Sequence, residues 1–161
     1  MSKLMKFGAV IACVIGLGWT SIPNLLIARN RSRQKRTMAD MRLIATAWEA
    51  RATDVNSYSV QHTHRRRTLG DEEPLNATEL AKALEPKYIR HLPRVDGWGG
   101  EFLFAAADFD DKGAAATYTI WSLGSDRARD ASPKPAGATK SFSADIIYSN
   151  GSFTQYPEEA G

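Results

Sequence analysis

The first third of the chain sets the limits on what it can fold into. From Phe7 to Ala28 there are 22 consecutive residues without a charged side chain. The run passes directly into Arg29-Asn30-Arg31-Ser32-Arg33-Gln34-Lys35-Arg36, and then into apolar residues at Met38, Met41, Ala45, Trp48, Ala52 and Val55. Their spacings of 3, 4, 3, 4 and 3 are those of one helix face. Between Thr37 and Asp54 there is no glycine or proline to interrupt such a helix. This order predicts one long helix with a membrane-competent half and an amphipathic half. Trp48 is the expected anchor of the amphipathic half, and Arg42, Glu49 and Arg51 lie off its stripe.

As a helix, the uncharged run would measure roughly 33 Å, enough to cross the hydrocarbon core of a bilayer. Lys3 and Lys6 precede it and five basic residues follow between Arg29 and Arg36, so charge counting alone does not orient it. A cleavable signal would end at a small-x-small site; Gly16-Leu17-Gly18 is a poor one, and the apolar character continues past it. Val10-Ile11-Ala12-Cys13 is lipobox-like, but the apolar segment before it is short. An uncleaved anchor is the reading this run supports. Pro23 predicts a bend around Trp19 to Pro23. Cys13 is the single cysteine, which excludes an intramolecular disulfide and a cysteine-based metal site.

The formal net charge of +3 arises largely from the block after the apolar run and from Arg65-Arg66-Arg67. Basic blocks can hold nucleic acid. A block abutting an apolar run instead reads as a juxtamembrane cluster drawn to anionic lipid. Membrane lipid is therefore an expected partner and nucleic acid is not.

Past the stripe, Val55 to Pro74 is polar and reads as an exposed loop. His62-Thr63-His64 in it is flanked by arginines that oppose a cation. Asn76-Ala77-Thr78-Glu79 predicts a capped helix start, with Leu80 and Leu84 on one face and Pro86 as its stop. Ile89 and Leu92 are expected to continue as extended chain towards Pro93. Asp96-Gly97-Trp98-Gly99-Gly100 is a turn by composition. Strands are predicted over Glu101–Ala105, Thr117–Leu123 and Ala144–Tyr156, the last folded on itself at Asn150-Gly151, a preferred two-residue hairpin pair. Asp108, Asp110 and Asp111, beside Lys112-Gly113, read as a solvated hairpin tip. The expected fold is α+β: a long N-terminal helix packed on a small antiparallel sheet. Two parts are expected, an anchor and juxtamembrane helix over residues 1–36 and a globular domain over residues 37–161.

With these pieces in place the chain resembles the type IV pilin-like family, most closely the major pseudopilins of type II secretion systems. The residues that carry the likeness are Ile22-Pro23-Asn24-Leu25-Leu26, Arg33-Gln34-Lys35-Arg36-Thr37-Met38-Ala39-Asp40-Met41-Arg42, Asp96-Gly97-Trp98-Gly99, and Tyr118-Thr119-Ile120-Trp121-Ser122-Leu123-Gly124-Ser125-Asp126. They fall in the family's order over most of the chain. The resemblance implies a pilin-like fold and a single-pass protein of the bacterial inner membrane, with its N-terminus cytoplasmic and its C-terminal domain periplasmic. It implies a structural subunit or accessory of a secretion or pilus-type fibre that supports protein export. Its partners would be other pilin-like subunits and the inner-membrane secretion machinery.

The same resemblance implies calcium in the loop after the Ser-Leu-Gly-x-Asp strand end, held by the Leu123 carbonyl, Asp126 and Asp145. Ser125, Asp130 and Ser143 are further oxygens within reach of that assignment. Calcium takes about six to eight oxygen ligands, so a few carboxylates must be supplemented by carbonyls and water. Arg127, Arg129, Lys134, Lys140, Pro133 and Pro135 depart from the family's loop. The alternative for Asp126 and Asp130 is that they cap turns.

The N-terminus departs further. Aligned on Pro23, the family's first mature residue falls near Ser2, and its conserved-type glutamate falls near Lys6. A lysine there carries the same sign as the N-terminal amine that the glutamate would neutralise. This motivates two other readings: a membrane-anchored pilin-like binding module that does not assemble, and a DNA-uptake pilin-like protein using the basic blocks. No catalytic order, phosphate-cradling loop or metal-hydrolase spacing is present in the sequence, so an enzyme is not expected.

Overall fold

The computed structural model describes residues 3–60, 73–110, 113–130 and 137–158, with side chains from residue 24 onward except at 73, 74 and 109. The pattern read from the stripe becomes a helix α1, Lys3–Val55, of 53 residues, roughly 80 Å long by the usual rise per residue. It runs on through Pro23. Met41, Ile44, Ala45 and Trp48 are fully buried and Ala47 and Ala52 nearly so, while Met38 packs against the core edge. The stripe is thus wider than its spacing implied, because Ile44 and Ala47 fill the flanks of the seam. Val55, expected to be its last member, is 49% exposed, since the helix ends there and clears the sheet.

The described residues form a six-stranded sheet: β1 Glu73–Leu75, β2 Leu103–Phe109, β3 Ala115–Ser122, β4 Gly137–Thr139, β5 Ile146–Ser149 and β6 Ser152–Pro157. Helix α2, Ala77–Leu84, lies between β1 and β2 in sequence. Spatial order is β1-β2-β3-β5-β6-β4. All pairs are antiparallel except β4 with β6, so the sheet is mixed rather than the expected antiparallel one. The reason is topological: the long connection from β3 returns along the outer side of β6, and its three-residue strand runs in the same direction as β6.

Trp48 is the hub between helix and sheet. Its ring meets Tyr118 at 5.1 Å, Phe104 at 6.3 Å and Tyr58 at 6.4 Å, and its Nε1 donates to the Tyr58 carbonyl at 2.9 Å. Tilted and edge-on aromatic contacts of this kind add to the burial of the rings themselves. Glu49, off the stripe, accepts a hydrogen bond from the Tyr118 hydroxyl, so that its position beside Trp48 places it at the rim of the core. Burial and the neighbouring Glu49 carboxylate push the Tyr118 phenol well above the usual range.

Helix α2 starts as its sequence predicts: Glu79 N–H donates to Asn76 Oδ1 at 2.9 Å, and Asn76 N–H donates to Glu79 Oε2 at 3.2 Å. Leu80 and Leu84 are fully buried. The following Ile89 and Leu92 are buried too, in irregular chain beyond the turn at 85–88, with Ile89 N–H still returning to the Leu84 carbonyl. The Asn150-Gly151 hairpin is present, both residues at positive φ (47° and 85°) as that turn requires. Asn150 also ties it inward, its Oδ1 accepting from Tyr118 N–H at 3.0 Å.

Two expectations shift. The segment read as a polar loop after Val55 includes Ser57–Val60, half-buried, whose Tyr58 N–H pairs with the Ala115 carbonyl, and Glu73–Leu75, which is β1. The strand expected over Glu101–Ala105 begins instead at Leu103, because Glu101 pairs with Val95 across the preceding turn. His62, His64 and Arg65 to Arg67 lie outside the described residues, as do Asp111, Lys112, Pro133, Lys134 and Pro135. So do the side chains of Lys6, Cys13 and most of the Phe7–Ala28 run; among the described residues no helix is long and apolar enough to cross a membrane.

Candidate functional site

Two features converge at the end of the sheet where β3 closes: a turn that clamps the cap to α1, and an acidic loop beside it. The clamp grows from Asp96, an acidic residue between apolar Val95 and the Gly97-Trp98 pair. Its side chain is buried, 3% exposed. Oδ1 accepts from Trp98 N–H at 2.9 Å and from Gly100 N–H at 2.8 Å, and Oδ2 accepts from the Ser122 hydroxyl at 2.6 Å. A buried carboxylate is tolerated where donors meet it, and here two backbone amides and a hydroxyl do. One side chain therefore shapes its own turn and ties it to the end of β3.

The same turn is fixed to the helix. Gly97 N–H donates to Thr37 Oγ1 at 2.9 Å, and the Thr37 hydroxyl in turn donates to the Arg33 carbonyl one helical turn back, also at 2.9 Å. Thr37 is fully buried by this contact. Gly97 is required for it: a Cβ there would lie 2.4 Å from the Arg33 carbonyl oxygen. Trp98 lies against the helix, its Nε1 donating to Asn30 Oδ1 at 3.3 Å. Two separate stretches that carried the resemblance, Arg33–Arg42 and Asp96–Gly99, are thus in physical contact, and Ser122 brings in the third.

The acidic loop follows β3. Gly124, at φ +67°, sits where a Cβ would come within 2.8 Å of the Ala144 carbonyl oxygen, so the outgoing and returning strands of the loop approach closely. Ser125 N–H donates to the Phe142 carbonyl at 2.9 Å and completes the closure. Asp145, on the returning side, is 3% exposed. Its Oδ2 accepts from Asp130 N–H at 3.3 Å, while Asp130 Oδ2 accepts from Asp145 N–H at 3.5 Å. Its Oδ1 is buried and has no hydrogen-bond partner. Burial, and after it the nearby charges of Asp130 and Asp126, push the Asp145 carboxyl above the usual carboxylate range; the Asp130 amide and Arg129 oppose that shift.

The six residues assigned to calcium divide. Asp126, Asp130 and Asp145 are close enough to raise Asp145 through their charges, and the Leu123 and Ser125 backbone lies in the closed turn with them. Ser143 turns away, its hydroxyl bonded to Ser141 Oγ at 2.7 Å. Asp126 also caps its own turn, Oδ1 accepting from Ala128 N–H at 3.1 Å, which fits the alternative reading of that residue. Among the described residues no three His, Cys, Asp or Glu side chains already converge as a metal-holding group. Among the described residues the cations of this loop are engaged: Arg127 donates to the Trp98 carbonyl at 2.6 Å, Lys140 pairs with Glu158 at 3.5 Å, and Arg129 stacks over Trp121.

Sequence reading missed the role of Asp96, which appeared as one polar residue of a turn. The signal available was its place in an Asp-Gly-x-Gly-Gly stretch just after apolar Val95, where small residues let backbone approach a buried acceptor. No family model, curated protein or solved structure matches this chain.

Proposed function

We propose that this chain is a membrane-anchored, pilin-like structural subunit or accessory of a type II secretion or type IV pilus-type fibre that supports protein export. The observation that carries the reading is α1, whose two halves differ in composition within one continuous helix. Its first half holds the uncharged Phe7–Ala28 run, and its second half is the spine of the cap, with Thr37, Met41, Ile44, Ala45 and Trp48 fully buried along one face. The cap is then periplasmic and the N-terminus cytoplasmic. The clamp at Asp96, Gly97 and Thr37 supports it further, because a fibre subunit must carry load from its globular part to its helix without letting the two separate. Leu25, Leu26 and Leu43 remain 70%, 54% and 50% exposed, which suits packing against lipid before assembly and against other pilin-like subunits after it.

Calcium is part of the proposal. The buried, partnerless Asp145 Oδ1 in acidic surroundings fits a cation, and Asp145, Asp126 and the Leu123 carbonyl would hold it, with Asp130 and Ser125 as neighbouring oxygens. When bound, a divalent cation supplies positive charge that lets these carboxylates stay ionised together. The residues themselves tie the exit of β3 to the return into β5.

Deleting the gene, fractionating the membranes and following protein export tests the reading. Export failing in the deletion strain and recovering on complementation, with the full chain in the inner-membrane fraction, is the expected outcome. Normal export together with a chain recovered away from membranes would overturn it.

A further inference from the structure

Besides the acidic loop, the molecule has a basic groove of about 470 Å³ between α1 and the β4–β6 edge of the sheet. One wall is the helix face carrying Arg31 and Lys35, four residues apart and hence stacked on the same side. The other wall carries Lys140, just past β4. Met38 and Phe142 form an apolar floor between them. Among the described residues Glu158 is the one carboxylate lining it, and Glu158 is held by Lys140 at 3.5 Å. Three cations against one carboxylate leave the groove electropositive, with two of the three exposed on the helix and the third facing them across the opening.

Position along α1 decides what such a groove can meet. Arg31 is three residues past Ala28 and Lys35 seven, so they lie roughly 4.5 Å and 10 Å beyond the end of the uncharged run. The headgroup layer on each side of a bilayer is about 5–8 Å deep. Arg31 therefore falls within that layer and Lys35 a few ångströms beyond it, within reach of its long side chain, while Lys140 is brought to the same groove by the fold rather than by sequence. The geometry points to this groove as a docking site for the phosphate headgroup of an anionic phospholipid. Arg31, Lys35 and Lys140 hold the phosphate, while its acyl stem runs back along α1 towards the uncharged run. This rests on the anchored reading above and makes it more specific, because it sets the height and rotation of the cap over the membrane.

The test uses the full chain in neutral detergent micelles, titrated with phosphatidylglycerol and read by native mass spectrometry. Each cation near an anionic headgroup is worth about fivefold in affinity, so Lys35→Gln with Lys140→Gln weakens phosphatidylglycerol binding about 25-fold. Arg90→Gln with Arg94→Gln, the same charge change at exposed sites outside the groove, leaves it unchanged. Equal binding by the groove variant, or an equal loss in the control pair, overturns the proposal. So does displacement of the lipid by an equal concentration of inorganic phosphate, which would mark a free-anion site. Flotation of the wild type with pure phosphatidylcholine vesicles tests the anchor separately. A chain that floats but binds no phosphatidylglycerol overturns the groove alone; one that binds it but does not float overturns the anchor.

Discussion

Replacing Gly97 with alanine tests the clamp between cap and helix at its tightest point. The new Cβ would lie 2.4 Å from the Arg33 carbonyl oxygen and 2.9 Å from the carbonyl carbon and Cα of the same residue. All three are helix backbone, so no side-chain rotation relieves the overlap, and the turn must lift by about 1 Å to reach ordinary van der Waals contact. Overpacking of this kind costs about 1–3 kcal/mol. Lifting the turn also breaks the 2.9 Å bond from Gly97 N–H to Thr37 Oγ1, worth about 1 kcal/mol. The expected loss is about 2–4 kcal/mol, seen in thermal unfolding of the full chain in detergent as a drop of roughly 10 °C. Gly113→Ala supplies the contrast: its Cβ would meet nothing within 4 Å, so its φ of +81° is the sole source of cost, about 1–2 kcal/mol. Thr37→Val removes the acceptor from the helix side, and combining it with Gly97→Ala gives less than the sum of the two, since both break one contact. A Gly97→Ala protein within about 0.5 kcal/mol of wild type, or strict additivity with Thr37→Val, would refute the clamp as the joint between helix and cap.

The other expected outcomes are these. Asp96→Ala leaves two buried amides and the Ser122 hydroxyl without their acceptor and lowers stability by about 3 kcal/mol or more, measured by urea unfolding. Trp48→Ala removes the ring that joins Tyr58, Phe104 and Tyr118 and costs about 3–5 kcal/mol in the same assay. Asp145 has a folded pKa raised above its unfolded value, so the stability of the ion-free chain is favoured at low pH and declines as pH rises through that raised value. Calcium should therefore raise the melting temperature at pH 7, do so much less below the ordinary carboxylate pKa of about 4, and have no effect on Asp145→Asn. A calcium response unchanged by Asp145→Asn would remove this residue from the proposed ligand set.

What the sequence disclosed, and what it did not, divides by the range of the interactions. The cap at Asn76 and Glu79, the Asn150-Gly151 turn and the helical stripe through Met41, Ala45 and Trp48 are local, each decided within a few residues, and each appears where the sequence places it. Strands β1 and β4 have three residues apiece, too few for an alternation to declare itself, and they exist because β2 and β6 offer them an edge. Ser57–Val60 read as loop because its polar composition hides Tyr58, which turns inward only because Trp48 and Tyr118 wait there. In the candidate site, the same logic separates the residue types from their use. Asp126, Asp130 and Asp145 were visible as acids near a strand end, but the burial of Asp145 and the engagement of Arg127 with Trp98 depend on pairings across the fold. Asp96 is the clearest case: its neighbours in sequence announce a turn, and its partners Ser122 and, through Gly97, Thr37 lie 26 and 60 residues away from the turn they meet.

The proposal that this helix-and-cap protein packs through α1 into a fibre is tested most directly at Leu25, the most exposed large apolar side chain among the described residues. A photo-crosslinking amino acid placed at Leu25 in cells should link the chain to further copies or to other pilin-like subunits, giving a ladder of discrete adducts that disappears when the secretion machinery is removed. Adducts with lipid alone, unchanged in cells with and without that machinery, would contradict assembly and leave a monomeric anchored module in its place.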